Sequence, residues 1–529
     1  MQDMPNVPNQ LPRDIDALQA LLADQVARNT RLEQENVRLD AKVLSLQEQL
    51  NLAIARRYAA SSEKLSPDQI RLFNEAEVDA TIEGDDTAET DSGETVAVPA
   101  HNRKKGGRKP LPDTLPRVEV VYEIPQDQRH CPHDGQILAE INQVISEQLD
   151  IIPAQIRVIR HIRKQYVCAC GQCIQTAPLP GQPIPKSMAS PGLLAHIAVS
   201  KYQDALPLYR QEQILQRVGV AIPRATLANW MIRSGQLVQP LINLLRDRLL
   251  AYDIIQMDET TVQVLKEPGK TAQSKSYLWL QRGGPPDEPV ILFDYDPSRS
   301  QTVPQGLLEG FAGYLQADGY SGYNGVVAAG GLVQLGCMAH ARRKFSEAVK
   351  GQGKNKRQGK AQQGLAWIQK LYRIEKQART QQLSPQARKL HRQQHAAPIL
   401  DKLREWLDAS LPTVPPGTLA GKALTYLHNE WPKLIRYLED GRLEIDNNLA
   451  ENAIRPFVIG RKNWMFSDSV HGVKASANLY SLVESAKANG LEPYQYLKQV
   501  FTALPQAETV EDIESLLPWV LKKISAETS

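Results

Sequence analysis

A series of strand-like segments between residues 252 and 337 constrains the fold more than any other feature of the chain. Polar and apolar residues alternate over Tyr252–Val264, which predicts a strand that carries Asp258. The fourth segment, Gly313–Tyr323, carries Asp318 and follows a short predicted helix. The other segments are Ser276–Leu280, Val290–Tyr295 and Leu332–Cys337. This order is typical of an RNase H-like mixed sheet, whose first and fourth strands are neighbours, so we expect the two aspartates to meet.

Carboxylates in such a pair suit the cleavage of phosphodiester bonds by two divalent ions, which carboxylates hold about 4 Å apart. Oxygen ligands of this kind favour Mg²⁺ or Mn²⁺. A third carboxylate is expected from a later helix, where Asn448, Glu451 and Arg455 would share one face. We therefore predict that Asp258, Asp318 and Glu451 are catalytic and bind the metal ions. Taken alone, a strand aspartate is more often a structural hydrogen-bonding residue.

Basic residues flank these carboxylates and are candidates for binding DNA phosphates, although solvated surface explains them almost as well. They are Arg342, Arg343 and Lys344 after the last strand, and Arg455, Arg461 and Lys462 after Glu451. We assign residues 251–470 to the catalytic core and residues 471–529 to a helical C-terminal tail. Within the core, a helical insertion rich in Lys, Arg and Gln spans about 345–435 and is predicted to bind DNA.

Residues 15–57 carry an apolar heptad repeat. Spacings of four and three alternate through Leu18, Leu22, Gln25, Asn29, Leu32, Asn36, Leu39, Val43, Leu46 and Leu50. With Leu18 at heptad position d, Asn29 and Asn36 fall at position a, where buried asparagines favour a parallel dimer in one register. We predict that residues 1–65 form a coiled-coil dimerisation region. The alternative is a single amphipathic helix packed on its own protein.

Charge is segregated in residues 66–116, which we predict to be a disordered linker, first acidic and then basic. Residues 75–94 carry nine acidic side chains and no basic one. The basic candidates for DNA binding are Arg103, Lys104, Lys105, Arg108 and Lys109. An extended arm in a DNA groove fits this segment, and a simple flexible linker fits it nearly as well.

Four of the five cysteines lie between residues 131 and 173. Cys170 and Cys173 form a CxxC pair, whose spacing lets two thiolates reach one tetrahedral Zn²⁺. The predicted zinc ligands are Cys131, His133, Cys170 and Cys173, with Cys168 as an alternative to one of them. We predict a small zinc-finger-like region over residues 117–185. Ordinary buried thiols are the other interpretation.

Residues 186–250 are predicted to be helical, with the rhythm of a helix-turn-helix. Gly219 permits a tight turn, and Pro223 fits the first turn of a second helix that continues to Trp230. This pattern predicts a DNA-binding element, although any two packed helices joined by glycine can imitate it.

The composition is that of a soluble, multidomain protein, with 529 residues, 42% of them hydrophobic, and a net charge of +3. No apolar run approaches the about 18 residues that a membrane span needs, and the N-terminus lacks a secretory signal. The few cysteines predict a reducing, cytoplasmic compartment. Combined, the segments predict a multidomain α/β protein with an RNase H-like core, an N-terminal coiled coil, a zinc-binding region and a helical insertion.

Five stretches of the chain closely resemble the transposases of the insertion-sequence 66 family. In chain order they are QMDET, LQADGYSGY, CMAHARRKF, DNNLAENAIRPFVIGRKNWMF and GLEPYQYLK. The heptads, the GGRKPLP segment and the cysteine cluster resemble the same family, so the resemblance extends over about residues 15–520. It implies a DDE transposase, a polynucleotidyl transferase, in which Asp258, Asp318 and Glu451 match the catalytic triad.

The resemblance also implies substrates, partners and a location. The substrates would be double-stranded DNA of the transposon ends and of the target, which the enzyme cleaves and joins by strand transfer. The protein would form a homodimer or higher oligomer through the coiled coil, with accessory proteins of the same element as further expected partners. It would act in the bacterial cytoplasm, in association with the nucleoid.

The chain departs from the family pattern at two places. The first knuckle of the family is commonly CPxC, whereas His133 and Asp134 stand here, which leaves the exact zinc ligands open. The family helix usually reads AER, whereas Asn452 follows Glu451 in this chain. That replacement removes a charge beside the site but keeps the catalytic carboxylate.

Two other functions use parts of the same sequence. A non-catalytic DNA-binding regulator would need only the coiled coil, the zinc region and the helix-turn-helix, and would have no use for three converging carboxylates. A structure-specific nuclease would share the fold of the core. The coiled coil and the long insertion suit the pairing of two DNA ends better than the cutting of a single junction.

Overall fold

The computed structural model describes residues 14–58, 156–167, 174–328, 331–352 and 359–527. The chain divides into two compact units, Glu75–Leu179 and the combination of Met1–Asn74 with Pro180–Ser529. Within the smaller unit, β1 (Gln165–Val167) and β2 (Ile174–Thr176) form an antiparallel hairpin. The predicted basic arm and all the predicted zinc ligands lie outside the described residues.

A mixed β-sheet forms the centre of the larger unit. Its strands are β3 (Ile254–Lys266), β4 (Lys275–Gly283), β5 (Val290–Asp296), β6 (Gly313–Gln316) and β7 (Leu332–Leu335). They lie in the order β5-β4-β3-β6-β7, and β8 (Ser467–Ser469) pairs with the end of β3. The pairs β5-β4 and β4-β3 are antiparallel, whereas β3-β6 and β6-β7 are parallel. The predicted mixed sheet and the neighbouring first and fourth strands are confirmed.

Helices surround this sheet. Those that precede β7 in the chain are α1 (Ile15–Tyr58), α2 (Pro191–Tyr202), α3 (Leu208–Arg217), α4 (Arg224–Leu237), α5 (Gln239–Leu250), α6 (Thr302–Leu307) and α7 (Asn324–Ala328). Those that follow are α8 (Met338–Gly351), α9 (Lys360–Thr380), α10 (Pro385–His395), α11 (Ala397–Ser410), α12 (Leu419–Leu434), α13 (Asn448–Trp464), α14 (Val470–Ala488), α15 (Pro493–Ala503), α16 (Val510–Glu514) and α17 (Pro518–Glu527). Within the part of the chain that the structure describes, none of them is long and apolar enough to cross a membrane.

The edge strand β5 is covered by α14. Ser481 Oγ accepts a hydrogen bond from the Phe293 backbone N–H at 2.8 Å, and Ser485 Oγ accepts one from the Ile291 N–H at 2.9 Å. The outer backbone groups of β5 have no neighbouring strand, and these serine hydroxyls bond to them instead. The edge is therefore closed to pairing with another chain.

The helical insertion has a hydrophobic core separate from that of the sheet. Most of its residues belong to α8, α9, α11 and α12. Its fully buried members include Phe345, Leu371, Leu403 and Leu424. The insertion is thus a folded subdomain, and its binding of DNA stays a prediction.

Helices α3 and α4 occupy the predicted helix-turn-helix. Gly219 adopts a φ of 82° in the turn between them, a conformation that favours glycine. The Arg224 backbone N–H at the start of α4 donates to Glu212 Oε1 of α3 at 3.0 Å. Asn229 and Arg233, one turn apart, are exposed on one side of α4. DNA binding by this element stays a prediction.

The heptad leucines of α1 lie on one continuous helix and face solvent. Their exposed fractions are 51% for Leu32, 51% for Leu39, 56% for Leu46 and 54% for Leu50. An apolar stripe of this length on an isolated helix exposes surface that a second helix can cover. The stripe is therefore available for the predicted dimer.

The C-terminal half of α1 also packs on the insertion, with a different face. Leu52 is buried, and Ser45 and Glu48 are half-buried. Ser45 Oγ donates to the Gly417 carbonyl at 2.9 Å, and Glu48 Oε2 accepts from the Leu419 N–H at 2.8 Å. Glu48 and Leu52 each lie two residues beyond a heptad leucine, which is about 200° around the helix, and Ser45 shares their side at spacings of three and seven residues. The helix thus packs on its own chain and still leaves the leucine stripe open.

The leucine stripe predicts an oligomeric state that substitution should change. Replacing Leu32 and Leu39 with Ser in the full chain should weaken dimerisation at least about 100-fold, because both copies lose buried apolar surface. Sedimentation velocity across a concentration series measures this. The control variant, Ser45→Ala, lies on the opposite face and should leave the dimer intact. A protein that is monomeric before substitution would contradict the prediction.

Candidate active site

Two of the predicted catalytic residues meet where β3 and β6 separate. The parallel register pairs Gln256 of β3 with Gln316, the last residue of β6. Their side chains touch, because Gln256 Nε2 donates to Gln316 Oε1 at 2.7 Å. Asp258 and Asp318 each follow two residues later, so Asp258 shares a sheet face with Gln256. The strand pairing therefore delivers both aspartates to one place.

Glu451 comes to the same place from α13. It lies in the first turn of that helix, which Asn447 precedes as the N-cap residue. The Asn447 amide donates through Nδ2 to the Met257 carbonyl of β3 at 2.8 Å, and so ties the start of α13 to the residue before Asp258. The three predicted carboxylates thus come from β3, the end of β6 and α13.

The electrostatics of Asp258 reflect this convergence. Burial raises the pKa of its carboxyl to about 7, and the negative charges of Glu259, Glu451 and Asp318 contribute to the rise. Protonation of one carboxyl relieves the repulsion in the absence of a cation. A divalent cation would relieve it more completely, and the all-oxygen donor set suits Mg²⁺ or Mn²⁺.

A fourth carboxylate, Glu259, follows Asp258 in β3 and is held by a network of hydrogen bonds. Glu259 Oε2 accepts from the Tyr323 hydroxyl at 2.7 Å, and its Oε1 accepts from Arg299 Nε at 2.9 Å. Burial still raises its pKa, although these two hydrogen bonds oppose the rise. The Arg299 guanidinium also lies 3.9 Å from the centre of the Tyr320 ring.

The same network orients the loop that carries Asp318. The Tyr320 backbone N–H donates to Asp318 Oδ1 at 2.9 Å, and the Tyr320 hydroxyl donates to the Arg299 carbonyl. Sequence reasoning missed Glu259, Arg299 and Tyr323 as supporting residues. The available signal was the charged residue next to Asp258 together with the tyrosines that follow Asp318.

A buried ion pair of the insertion holds the segment that leads to Glu451. Arg392 is completely buried and forms two hydrogen bonds to the Glu375 carboxylate, each of 2.8 Å. Its remaining N–H groups donate to the carbonyls of Tyr437, Asp440 and Leu443, at 2.7, 3.0 and 2.8 Å. One side chain of α10 therefore fixes the backbone of the segment before α13.

Further side chains hold the last residues before α13. Arg388 donates to both oxygens of Glu444, each at 2.9 Å, and also to Glu375. The Tyr372 hydroxyl of α9 donates to Asp446 Oδ2 at 2.7 Å. Residues of the insertion thus contact the chain up to five residues before Glu451, which is a positioning role that sequence reasoning did not predict.

Comparison with protein families identifies the chain. A family model described as Transposase IS66 family matches residues 186–475, which include all three predicted catalytic residues. The chain belongs to the IS66 family of transposases. Other models match an IS66 C-terminal element at residues 481–519 and a Transposase C of IS166 homeodomain at residues 45–120. A zinc-finger binding domain of transposase IS66 matches residues 128–171.

Relatives in Sinorhizobium fredii extend over the same regions. Uncharacterized protein y4qI is 31% identical over 538 aligned positions, which cover 97% of this chain and 98% of that protein. Uncharacterized protein y4jD is 35% identical over 428 positions, covering 77% of this chain and 81% of the relative. The IS66 family resemblance in the sequence is thereby confirmed along nearly the whole chain.

The zinc-finger match of this IS66 family member bears on the predicted metal ligands. It includes Cys131, His133, Cys168 and Cys170, and it ends two residues before Cys173. A zinc-finger region is therefore supported. The four predicted ligands, with Cys168 as an alternative to one of them, stay a prediction.

The predicted phosphate-binding residues of α8 and α13 differ in their surroundings. Arg343 is exposed, and its Nη2 lies 3.3 Å from Glu451 Oε2. Lys344 is also exposed and lies over the Tyr426 ring, 4.8 Å from its centre. Arg342 is half-buried in the same turn of α8. Arg343 thus directly contacts a predicted catalytic carboxylate.

In α13, Arg455 and Lys462 are exposed, whereas Arg461 is half-buried. Arg461 donates to the Thr261 hydroxyl at 3.0 Å and also to the Thr261 carbonyl, so it joins α13 to β3. Phosphate binding stays a prediction for all three residues. If Arg461 bound a phosphate, its hydrogen bonds to Thr261 would have to break first.

The raised pKa of Asp258 predicts a pH-dependent effect of Mg²⁺ on stability. In the metal-free fold the pKa of Asp258 is about 7, compared with 3.8 in the unfolded chain. The folded state therefore binds more protons between these values, so its stability falls as the pH rises across this range. Bound Mg²⁺ removes the penalty. The gain in Tm on adding Mg²⁺ should therefore grow as the pH rises towards 7 and level off above it.

Thermal unfolding of the full chain, with and without Mg²⁺, between pH 5.5 and 8.5 tests this. The variant Asp258→Asn cannot ionise, so its gain in Tm should be small and should vary less with pH. A pH-independent gain, equal in the two proteins, would place the Mg²⁺ elsewhere.

The buried Arg392–Glu375 pair predicts a large loss of stability when one partner is neutralised. Burial raises the pKa of Glu375, but the hydrogen bonds and charges of Arg392 and Arg388 outweigh it and lower the pKa. Glu375→Gln leaves a buried charge uncompensated and should destabilise the insertion by about 3–5 kcal/mol. Native-state hydrogen exchange of α9 and α10 measures the change. Glu405→Gln, at an exposed position of α11, should change stability by less than about 0.5 kcal/mol.

Proposed function

We propose that the protein is a DDE transposase that cleaves DNA at transposon ends and joins the freed ends to target DNA. The observation that carries this proposal is the convergence of Asp258, Asp318 and Glu451. Burial raises the pKa of Asp258 to about 7, and the negative charges of Glu259, Glu451 and Asp318 contribute to the rise. Membership of the IS66 family supports the same activity. The order and pairing of the central strands further support an RNase H-like core.

The three carboxylates would hold two Mg²⁺ or Mn²⁺ ions, which activate the attacking oxygen and stabilise the leaving oxygen. In the first reaction, a water oxygen attacks the phosphorus at the transposon end, and the 3′ oxygen leaves as a hydroxyl. In the second, this 3′-hydroxyl attacks a phosphodiester of the target and gives up its proton. The phosphoryl group passes to the transposon strand, and the 3′ oxygen of the target leaves.

Basic and polar surfaces would bind the DNA around these carboxylates. Arg343 would bind a phosphate close to the reacting bond, and its contact with Glu451 supports this role. The exposed Asn229 and Arg233 of α4 would read base edges in a major groove, because amide and guanidinium groups can form paired hydrogen bonds with bases. The basic segment Arg103–Lys109 would add phosphate contacts, as Arg342, Lys344, Arg455 and Lys462 would near the site.

Assembly and metal binding complete the proposal. The open leucine stripe of α1 supports a homodimer, in which two copies each hold one transposon end. Zn²⁺ bound by Cys131, His133, Cys170 and Cys173, or by Cys168 in place of one of them, would fold the region of the zinc-finger match. Accessory proteins of the same element, acting with the enzyme on the bacterial nucleoid, fit this function.

Substitution of the three carboxylates tests the catalytic proposal. Asp258→Asn, Asp318→Asn and Glu451→Gln should each lower end cleavage in Mg²⁺ by more than about 100-fold, because a lost ligand misplaces the ions. DNA binding, measured by gel shift, should change little. The control Asp287→Asn lies in the exposed turn between β4 and β5 and should cleave normally. Near-normal cleavage by one of the three variants would show that its carboxylate is not required.

A further inference from the structure

Three residues beside the proposed catalytic site form a second set of potential metal ligands. Cys337 directly precedes α8, His340 lies in the first turn of α8, and Glu451 lies in the first turn of α13. One ligand atom from each of the three lies within 4.8 Å of the other two. The set combines a sulfur, an imidazole nitrogen and a carboxylate oxygen.

Two of these ligand atoms are buried and lack a hydrogen-bond partner among the described residues. They are His340 Nδ1 and Glu451 Oε1, which face each other at 3.7 Å. This separation is too long for a direct hydrogen bond. Two ligands that share a tetrahedral ion at about 2 Å from each would lie about 3.3 Å apart, so this gap would narrow slightly when an ion enters. Buried polar atoms are rarely left unsatisfied, so a species between them is expected.

The donor types indicate which ion this position would accept. A thiolate with an imidazole and a carboxylate suits the zinc class of divalent ions, whereas Mg²⁺ prefers oxygen ligands alone. Three protein ligands leave the fourth tetrahedral position open to water. One charge from each of Cys337 and Glu451 would neutralise the ion.

We propose that Cys337, His340 and Glu451 form an inhibitory site for zinc-class divalent ions that withdraws Glu451 from the catalytic ions. The ion-binding part follows from the ligand geometry alone. The inhibitory part rests on the proposed catalytic function of Glu451. An enzyme in this state would still bind DNA but would not cleave it until the ion is removed.

The surroundings of the thiol set the conditions for binding. Cys337 is completely buried, and its Sγ accepts the Asn447 backbone N–H at 3.3 Å. Burial raises the pKa of this thiol to about 12. An entering ion must therefore displace the thiol proton to solvent as the metal–sulfur bond forms. The positive charge of Arg343 near Glu451 also opposes the ion, so we expect weaker binding than in a structural zinc site.

Cobalt binding to the full chain tests the site without reference to catalysis. Metal-free protein is titrated with Co²⁺ alone, and bound metal is counted by elemental analysis after gel filtration. Cys337→Ser and His340→Gln should each bind one equivalent less than the unsubstituted chain. His196→Gln, at an exposed position of α2, should bind the full amount. Circular dichroism checks that each variant is folded.

The zinc-finger region provides an internal comparison. The variant Cys170→Ser should bind one equivalent of Co²⁺ less, because the zinc-finger site is lost. The double variant Cys170→Ser and Cys337→Ser should therefore bind two equivalents less than the unsubstituted chain. Serine at position 337 can still accept the Asn447 N–H, which limits the structural disturbance. If Cys337→Ser and His340→Gln bind as much Co²⁺ as the unsubstituted chain, the site does not exist.

Inhibition is measured separately, as end cleavage in Mg²⁺ with increasing Zn²⁺. The concentration of Zn²⁺ that halves cleavage should rise at least about tenfold in Cys337→Ser, since a metal ligand is lost. A chelator should restore cleavage by the unsubstituted chain. Equal sensitivity of the two proteins would overturn the inhibitory role. Failure of all cleavage would contradict the proposed function but leave the Co²⁺ result standing.

Discussion

Repulsion among carboxylates where β3 and β6 separate is the interaction that the rest of the structure must oppose. Burial raises the pKa of Asp258, and the negative charges of Glu259, Glu451 and Asp318 raise it further. The fold holds them in place through surrounding hydrogen bonds. Arg299 and Tyr323 restrain Glu259, while Asn447 fixes the start of α13 on β3. A site strained in this way is suited to binding cations.

The helical insertion, although basic in composition, also has a structural role, since it holds the segment before α13. Two of its arginines, Arg388 and Arg392, point inwards and hold the segment that leads to Glu451. They are paired with Glu375, which is also fully buried. A change in the insertion would therefore affect the segment before Glu451, the proposed catalytic carboxylate, through hydrogen-bonded contacts. Binding of DNA to its exposed surface is compatible with this role, because different side chains would be used.

The N-terminal helix α1 separates two tasks on two faces. One face binds the insertion through Ser45 and Glu48, and the other presents the heptad leucines to solvent. A partner on the leucine stripe would therefore not compete with the intramolecular contact. Dimerisation of α1 would place a second copy next to the insertion, and through it next to the segment before Glu451.

The sequence by itself determined the local features of this protein. Strand alternation around Asp258, heptads in α1 and the turn at Gly219 depend on neighbouring residues, so periodicity and glycine placement predict them. The family motifs predict which three carboxylates are catalytic. Only the tertiary structure decided which distant residues support them. Arg392 is far from Leu443 in the chain, and a lysine- and arginine-rich helix gives no sign that one of its side chains is buried. Such contacts depend on how helices pack around a core, and packing is not encoded in local periodicity.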